Sequence, residues 1–535
     1  MRSIASRLYP RARENRLPSN HPGVKKARLA FLKAAGINFI LLQLLFLGLF
    51  SYIFGSLFQQ TSHTHNLSIL FVDYDAGGAI GDAVRAAYAT LEAPSFPTVI
   101  ERPPSQYPST ADLREAVCRT DLWAAIFVTA GASSRLATAL GGGTAAATYN
   151  ASDAMAYIWN EAVYPQVADS SISANILLLS NTARVQYSSG NGTGNITSIS
   201  GPASLSILAQ PWKLVSLDIQ PTPQGSRAIY NSVTIILVLI QEFFYLGIIN
   251  GLSTKFKLYA RVDPYRIALV RNLNSLAYTF VGSLCVTGAI WAFRSGWDVN
   301  GNQFVLSWMS LWLFAHVNFV VLDVFTIWLP PPFVPMALVA WISPNVTSVL
   351  LPFPLSPGFY RVGYALPAHA VYQILTDIWS GGCNPQLDYA LPVLFAWEIL
   401  GLSVSGLGVF RRCHFATIAE ERQAKEFDER LDAAVGLEMV KMQEMRKQSR
   451  LEREAKVGDP KLLRPERGES REGRPATCGE EEEEDETQAF KAQLANVMER
   501  VNTRQGREQE AVGVPCNFGP AFDLAFSSTR GDESD

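Results

Sequence analysis

The chain has 535 residues, of which 48% are hydrophobic, 11% aromatic and only 17% charged. Soluble domains carry about 25% charged residues, so a purely water-soluble globular protein is excluded. A net charge of −3 gives no global field of the kind that draws nucleic acid, and no nucleic-acid partner is expected. The cysteines at 118, 285, 383, 413, 478 and 516 form no CxxC pair and no metal-ligand spacing. A disulfide-built scaffold and a zinc module are therefore excluded, and neither a metal nor a cofactor is expected.

In chain order, residues 1–33 hold nine Lys/Arg against the single acid Glu14. They read as a basic cytosolic tail, mostly disordered. Ala34–Phe58 follows, twenty-five residues without a charge; about twenty suffice to cross ~30 Å of hydrocarbon as a helix. The run is too long for the apolar part of a cleaved secretory signal. It reads as transmembrane helix 1, a signal anchor with its basic side in the cytosol.

Residues 59–228 are the predicted extracytoplasmic domain. The stretch 67–74 reads as a strand ending in the turn signal Asp75-Ala-Gly-Gly. Ile80–Leu91 reads as a helix, Thr98–Glu101 as a strand, Ala111–Arg119 as a helix with Thr110 as N-cap, and Trp123–Val128 as a strand. Asp153–Val167 and Ser173–Ser180 are predicted helices, and Leu214–Ile219 a late strand. This alternation predicts an α/β layer domain. Asp73 and Asp75 at the first strand end suit either a cation or a turn, and turn chemistry is the ordinary reading. Four N-x-S/T sites, Asn66, Asn150, Asn191 and Asn195, are candidate glycosylation sites. Cys118 and Cys383 are the only cysteines on the predicted outer side; a disulfide between them and a buried thiol at Cys118 stand as alternatives.

Residues 229–410 supply five further apolar runs: Ile229–Leu252, Leu273–Phe293, Phe304–Leu329, Phe333–Phe353 and Tyr389–Phe410. Basic clusters at Lys33, Lys255–Arg271 and Arg411 fall on one predicted side, which places both termini in the cytosol. The fifth run is crowded by Pro331, Pro332, Pro335, Pro344 and Pro352, and it contains the remaining sequon, Asn345. Between the last two runs, residues 355–379 carry Phe359, Tyr360, Tyr364, Tyr372 and Trp379, aromatics of the membrane-belt type, and read as an interfacial segment. The expected fold class is thus a polytopic α-helical membrane protein of six transmembrane helices, one plus five, with an α/β extracytoplasmic domain between helices one and two and partly disordered cytosolic tails.

This order of elements, with the words LSILFVDYDAGGAIGDAV (67–84), LWAAIFVTAGASSRLATAL (122–140), YNSVTIILVLIQEFFYLGIINGL (230–252) and YRVGYALPAHAVYQIL (360–375), resembles the permease half of type-two ABC exporters. It resembles more closely a fungal membrane family named for nitrosoguanidine resistance. The resemblance covers roughly residues 34–412. It implies protection against toxic compounds, short helices dipping into the outer leaflet between the last two spans, and pairing into a homodimer. The chain has no Walker-type Gly-x4-Gly-Lys, so any ATPase would be a separate chain.

Ionisable groups inside spans are costly and mark candidate sites. Here they are Glu242, His316, Asp323 and Glu398. His316 and Asp323, seven residues apart, share one helix face about 10 Å apart along the axis. A transport path and a structural or hydrated role are the competing readings. No nucleophile–base set is apparent, and no enzyme activity is expected. After Arg411 the sequence turns charged: residues 420–456 read as a helix, 458–475 as a linker, Glu480–Glu486 as seven consecutive acids, and 488–501 as one more helix. The segment 420–501 is a candidate surface for a cytosolic protein partner.

Two functional readings follow. One is a multi-pass protein of exporter-permease type that contributes to resistance by moving or excluding amphipathic molecules or lipids, with membrane lipids as partners. The other is a non-transporting regulator or scaffold acting through its cytosolic tail. Span lengths suit the plasma membrane somewhat better than the thinner endoplasmic reticulum membrane.

Overall fold

The computed structural model describes residues 21–190, 201–222, 233–294 and 298–457. The chain divides into two units, one of residues 1–243 and 273–405, the other of residues 244–272 and 406–535.

The first unit opens with helix α1, Pro22–Ser56. It begins well before the apolar run, so residues 22–33 of the expected disordered tail are helical: Pro22 is tolerated at the first helical position, and after Gly23 no Gly or Pro precedes Gly36, while Lys25, Lys26, Arg28 and Lys33 are good helix formers. The α/β domain follows. Strand β1 (Ser68–Asp73) leads through a turn into α2 (Ala79–Leu91), then β2 (Thr98–Arg102), α3 (Thr110–Cys118), β3 (Ala124–Val128), α4 (Ala132–Leu140), β4 (Met155–Trp159), α5 (Ala174–Ser189) and β5 (Val215–Asp218). The sheet order is β2-β1-β3-β4-β5. All neighbours are parallel except β3 and β4, which pair antiparallel with Ala124 opposite Trp159.

Side chains alternate across this sheet. Leu70, Val72, Ala125, Phe127, Ala156 and Ile158 meet Leu113 and Val117 of α3 on one face. Ile69, Phe71, Ile126 and Tyr157 point the other way and are also buried, as expected of a sheet covered on both sides. Two expectations are corrected. The residues from Asp153 to Val167 do not form one helix: Met155–Trp159 is a strand with all five residues buried, and helix begins only at Pro165. A strand buried on both faces has no polar alternation to read, and Tyr157, Ile158 and Trp159 favour strand. The N-cap of α3 is Ser109, not Thr110: its Oγ accepts from the Asp112 N–H while Asp112 Oδ2 accepts from the Ser109 N–H at 2.8 Å, a capping box.

The membrane part continues with α6 (Thr234–Lys255), α7 (Pro264–Ala292), α8 (Gly301–Trp328), α9 (Val334–Leu350), α10 (Pro367–Trp379) and α11 (Leu387–Val457). Among the described residues, five helices, α1, α6, α7, α8 and α11, are long and apolar enough to cross a membrane. The chain is therefore a polytopic helical membrane protein. The expected fifth span is the 17-residue α9, trimmed by 3-10 turns at Pro331–Phe333 and Phe353–Leu355, because proline cannot donate into a continuing helix. Of the aromatics in residues 355–379, Phe359 and Tyr364 are exposed, whereas Tyr360, Tyr372 and Trp379 are buried. The Tyr372 hydroxyl accepts from the Tyr164 N–H at 3.1 Å and Trp379 Nε1 donates to Ser307 Oγ at 3.1 Å.

In the second unit, the end of α6, the start of α7 and residues 406–457 of α11 pack through Ile267, Val409 and Cys413, with Tyr259 against them. Lys257 pairs with Glu420 at 3.1 Å. The charged stretch expected to be a separate helix continues the last span as one helix of 71 residues; no proline follows Pro392 to interrupt it.

Candidate functional site

The polar groups of the spans are drawn together by three helices. On α8, His316 faces two partners: Nδ1 lies 2.6 Å from Glu398 Oε1 on α11, and Nε2 lies 3.0 Å from Ser275 Oγ on α7. His316 is 3% exposed and Ser275 fully buried. With Glu398 ionised, Nδ1–H donates to it and Nε2 accepts the serine proton. One turn pair further along α8, Asp323 accepts from Ser405 Oγ at 2.5 Å and from Thr326 Oγ1 at 3.2 Å. Both α8–α11 pairs have the same sequence offset of 82. A constant difference, where an antiparallel pair would give a constant sum, means that the two helices run side by side in the same direction. Gly401 permits this approach, because a Cβ there would collide with Val320.

Glu242 stands apart. It is 1% exposed on α6, and its Oε2 has no hydrogen-bond partner among the described residues; Glu398 Oε2 is likewise unmatched. The structure thus brings His316 and Glu398 together, gives Asp323 its own serine, and joins Glu242 to none of them. Sequence reading missed Ser275 and Ser405, since a lone serine in an apolar run costs little and attracts no notice. A signal was present: Ser275, Thr279, Ser283 and Thr287 recur every four residues on α7, and all are buried, one polar stripe facing protein.

Ser275, His316 and Glu398 stand in the order nucleophile, base and orienting acid. Acyl transfer also needs donors for the developing oxyanion. Ser275 lies in the interior of a 29-residue helix, where backbone N–H groups are engaged along the helix itself. The arrangement is suited to holding three spans together and to passing a proton between them.

In the α/β domain, Asp73 and Asp75 serve the turn. Asp73 Oδ1 accepts from the Asp75 N–H at 3.0 Å, and its Oδ2 pairs with Arg85 at 2.8 Å, an arginine shared with Glu101 and Asp82. Asp75 accepts from the Ser133 N–H at 2.8 Å. Side chains at Gly78 and Gly81 would collide with these carboxylates, which explains the glycine at both positions. Asn66 and Asn150 are exposed, their amides donating to the Pro354 carbonyl and to Asp153 at 3.0 Å each. Asn191 and Asn195 lie outside the described residues. Asn345 is fully buried and accepts from the Ala368 N–H at 3.2 Å.

Cys118 on α3 and Cys383, in the segment before α11, form a disulfide 265 residues apart in sequence. Beside it, Asn160 Nδ2 donates to the Cys383 carbonyl at 3.2 Å.

An α/β domain inserted after the first of several membrane helices, with a hydrogen-bonded polar centre among the later ones, defines a class of integral membrane protein. The chain belongs to the family described as "Protein of unknown function (DUF3533)", whose pattern matches residues 38–403. It is also similar to an uncharacterized endoplasmic reticulum membrane protein of Saccharomyces cerevisiae, with 29% identity over 141 residues, 23% of this chain and 27% of that protein. The match thus spans little more than a quarter of that relative's length. No solved structure matches.

Proposed function

We propose that this is a six-span membrane protein that moves, or keeps out, amphipathic cations or lipids, with His316 and Glu398 as its proton-handling centre. The observation that carries the reading is the buried Ser275–His316–Glu398 chain. Glu242 on α6 and Asp323 on α8 are also buried, whereas no Lys or Arg occurs in α8, in α9 or in residues 387–410 of α11. An acidic interior favours protons and cationic amphipaths over anions. The reading includes no enzymatic step, and it follows the resemblance to exporter permeases and to the nitrosoguanidine-resistance family.

Two observations support the count of six. A disulfide requires both cysteines on one side of the membrane, so an even number of crossings separates Cys118 from Cys383. With α6, α7 and α8 crossing, the short α9 supplies the fourth; 17 residues at 1.5 Å each give about 26 Å, near the lower limit for a span. The parallel run of α8 and α11 makes the same demand, since one oppositely directed crossing must lie between them. In this topology the α/β domain is extracytoplasmic, in an oxidising compartment as its disulfide requires, and both termini are cytosolic. The yeast relative's name points to the endoplasmic reticulum, and the lumen of that membrane or the cell exterior satisfies the disulfide equally.

Efflux of a fluorescent amphipathic cation and movement of a labelled lipid test the proposal in cells lacking the protein, restored with it, or carrying it truncated after His414. Faster movement with the truncated chain is expected. Unchanged transport, with resistance lost only on truncation, would transfer the function to the tail and favour the scaffold, a reading supported by the unbroken extension of α11.

A further inference from the structure

The α/β domain holds an open cleft of about 290 Å³. Its walls are the exposed side of α4, the short helix Gly143–Thr148 and the 3-10 turn Ala151–Asp153 that leads into β4. Small-ligand sites run from about 300 to 1,000 Å³, so the cleft takes one sugar-sized group and not a lipid. Its lining is polar and balanced in charge. The Thr138 and Thr148 hydroxyls donate to the carbonyls of Ser134 and Thr144 at 2.8 and 3.0 Å, and the Ser134 hydroxyl donates to the Gly131 carbonyl at 2.9 Å. Each of these oxygens keeps its lone pairs as acceptors. Arg135 donates to the carbonyls of Ala130 and Asp153 and to Thr129 Oγ1; a guanidinium has five N–H groups, so at least two remain to donate. Tyr149, fixed by its hydroxyl donating to the Pro211 carbonyl at 2.6 Å, adds an aromatic ring. Donors and acceptors beside an aromatic face suit a neutral polyhydroxyl group. A phosphate would meet the Asp153 carboxylate, and a cation the Arg135 guanidinium.

Asn150 belongs to the same wall. In its sequon, Asn150-Ala151-Ser152, Oδ1 accepts from the Ser152 N–H at 3.1 Å and Nδ2 donates to Asp153 Oδ1 at 3.0 Å. That second bond uses one of the two amide protons. The other can be replaced by a sugar with both bonds kept, and the sugar then begins one covalent bond from the cleft. The other described sequons, Asn66 and Asn345, line no part of it. A tethered group needs little affinity of its own, because a short link holds it at an effective concentration in the millimolar range.

We propose that Asn150 is N-glycosylated and that the cleft seats the first sugar of its glycan, an N-acetylglucosamine. The inference rests on the extracytoplasmic placement of the α/β domain and is independent of transport. In the modification, Asn150 Nδ2 loses one proton and bonds to the anomeric carbon of the sugar. The bond from that carbon to a lipid-linked diphosphate breaks, and its electron pair leaves with the phosphate. The seated sugar bridges α4 to the turn before β4, and so ties down the connection between the antiparallel strands β3 and β4.

The test uses the full chain, made in eukaryotic cells and purified in neutral detergent. Occupancy of each sequon is read from peptide masses, and release by peptide N-glycosidase is timed on the folded and on the denatured chain. A glycan is expected at Asn150, released at least about tenfold more slowly from the folded chain, as for a group freed only by local opening. Ala145→Trp fills the cleft, and Thr138→Val with Thr148→Val removes two hydroxyls from its wall; each is expected to abolish most of this protection. The valine pair guards against a tryptophan that upsets the fold, and an intact Cys118–Cys383 disulfide checks both variants. Equal release from folded and denatured wild type would overturn the seat, as would protection unchanged in both variants. A bare Asn150 would overturn the inference outright. Asn66 modified beside it would leave the topology standing, whereas both bare, with Cys383 labelled from the cytosolic side in Cys118→Ser, would put the failure in the placement of the domain. Binding of N,N′-diacetylchitobiose by a chain whose Asn150 is bare would assign the cleft to another molecule's glycan, which also overturns it.

Discussion

A hydrogen bond of 2.6 Å between His316 and Glu398 inside a helix bundle is short for a neutral pair and suits a charge-assisted one. Interhelical hydrogen bonds in membranes are worth only about 0.6–2 kcal/mol each, so Glu398→Gln and His316→Gln should leave expression and solubilised size unchanged. If the pair handles protons, efflux should fall at least about tenfold, the scale of general acid–base contributions, and its pH dependence should flatten. Efflux at the normal rate in both variants would remove the proton-handling reading. A second residue-scale prediction concerns Asp218, where burial pushes the carboxyl pKa up to about 6 against the opposing hydrogen bond from the Glu161 N–H. The folded chain holds this proton where the unfolded chain, titrating at its ordinary 3.8, has released it. The contribution to stability is therefore full below about pH 4 and is lost as pH rises to about 6. At face value the difference is worth ~3 kcal/mol, and partial exposure to solvent reduces it to about 1–2 kcal/mol. Asp218→Asn keeps the acceptor for Glu161 and Gln220. It should raise the Tm at pH 7 and leave it unchanged at pH 4.

At the scale of elements, the disulfide is the strongest cross-link in the first unit. Cys118→Ser with Cys383→Ser should lower the Tm by an amount equivalent to about 2–4 kcal/mol. In Cys118→Ser alone, Cys383 should become reactive to a membrane-impermeant maleimide in intact cells or in opened microsomes, without reductant; labelling from the cytosolic side instead would invert the proposed topology. Glycosidase-sensitive mass should likewise fall with Asn66→Gln and with Asn150→Gln if both exposed sequons face that compartment. Elements were legible where local chemistry was decisive. β1, α2, β2 and β3 lie within a residue or two of their expected limits, because β-rich runs end there at Asp, Gly and Ser turns. β4 was not legible, since its neighbours on both faces of the sheet set its conformation. The pairing of Cys118 with Cys383 could not be read either; no local pattern specifies which distant segment α3 will meet.

For the molecule as a whole, the membrane class was visible in the clustering of apolar residues. The candidate site was visible only in half. His316 and Glu398 stood out as ionisable groups, but their mutual distance depends on how α8 and α11 pack, which an 82-residue separation does not encode. The short α9 matters most at this scale, because the proposed count of six spans depends on it. Lys or Arg placed at Ser343, mid-helix and buried, should impair insertion by about 2.5–3.5 kcal/mol if α9 spans the bilayer. A glycosylation tag before Pro331 remaining unmodified, and one at Pro385 modified, would support the crossing; the same outcome at both positions would refute it.

The Cys118–Cys383 link has a topological consequence as well. It closes the backbone between these residues into a ring through which the chain passes along α6, α7, α8 and α9. One protease cut anywhere inside that ring yields a single covalent molecule of unchanged mass apart from one added water. Electrophoresis should show the intact chain without reductant and two fragments with it. A nick in this region would therefore leave the α/β domain attached to the last helix, whereas reduction followed by a nick would release the two halves to separate within the bilayer.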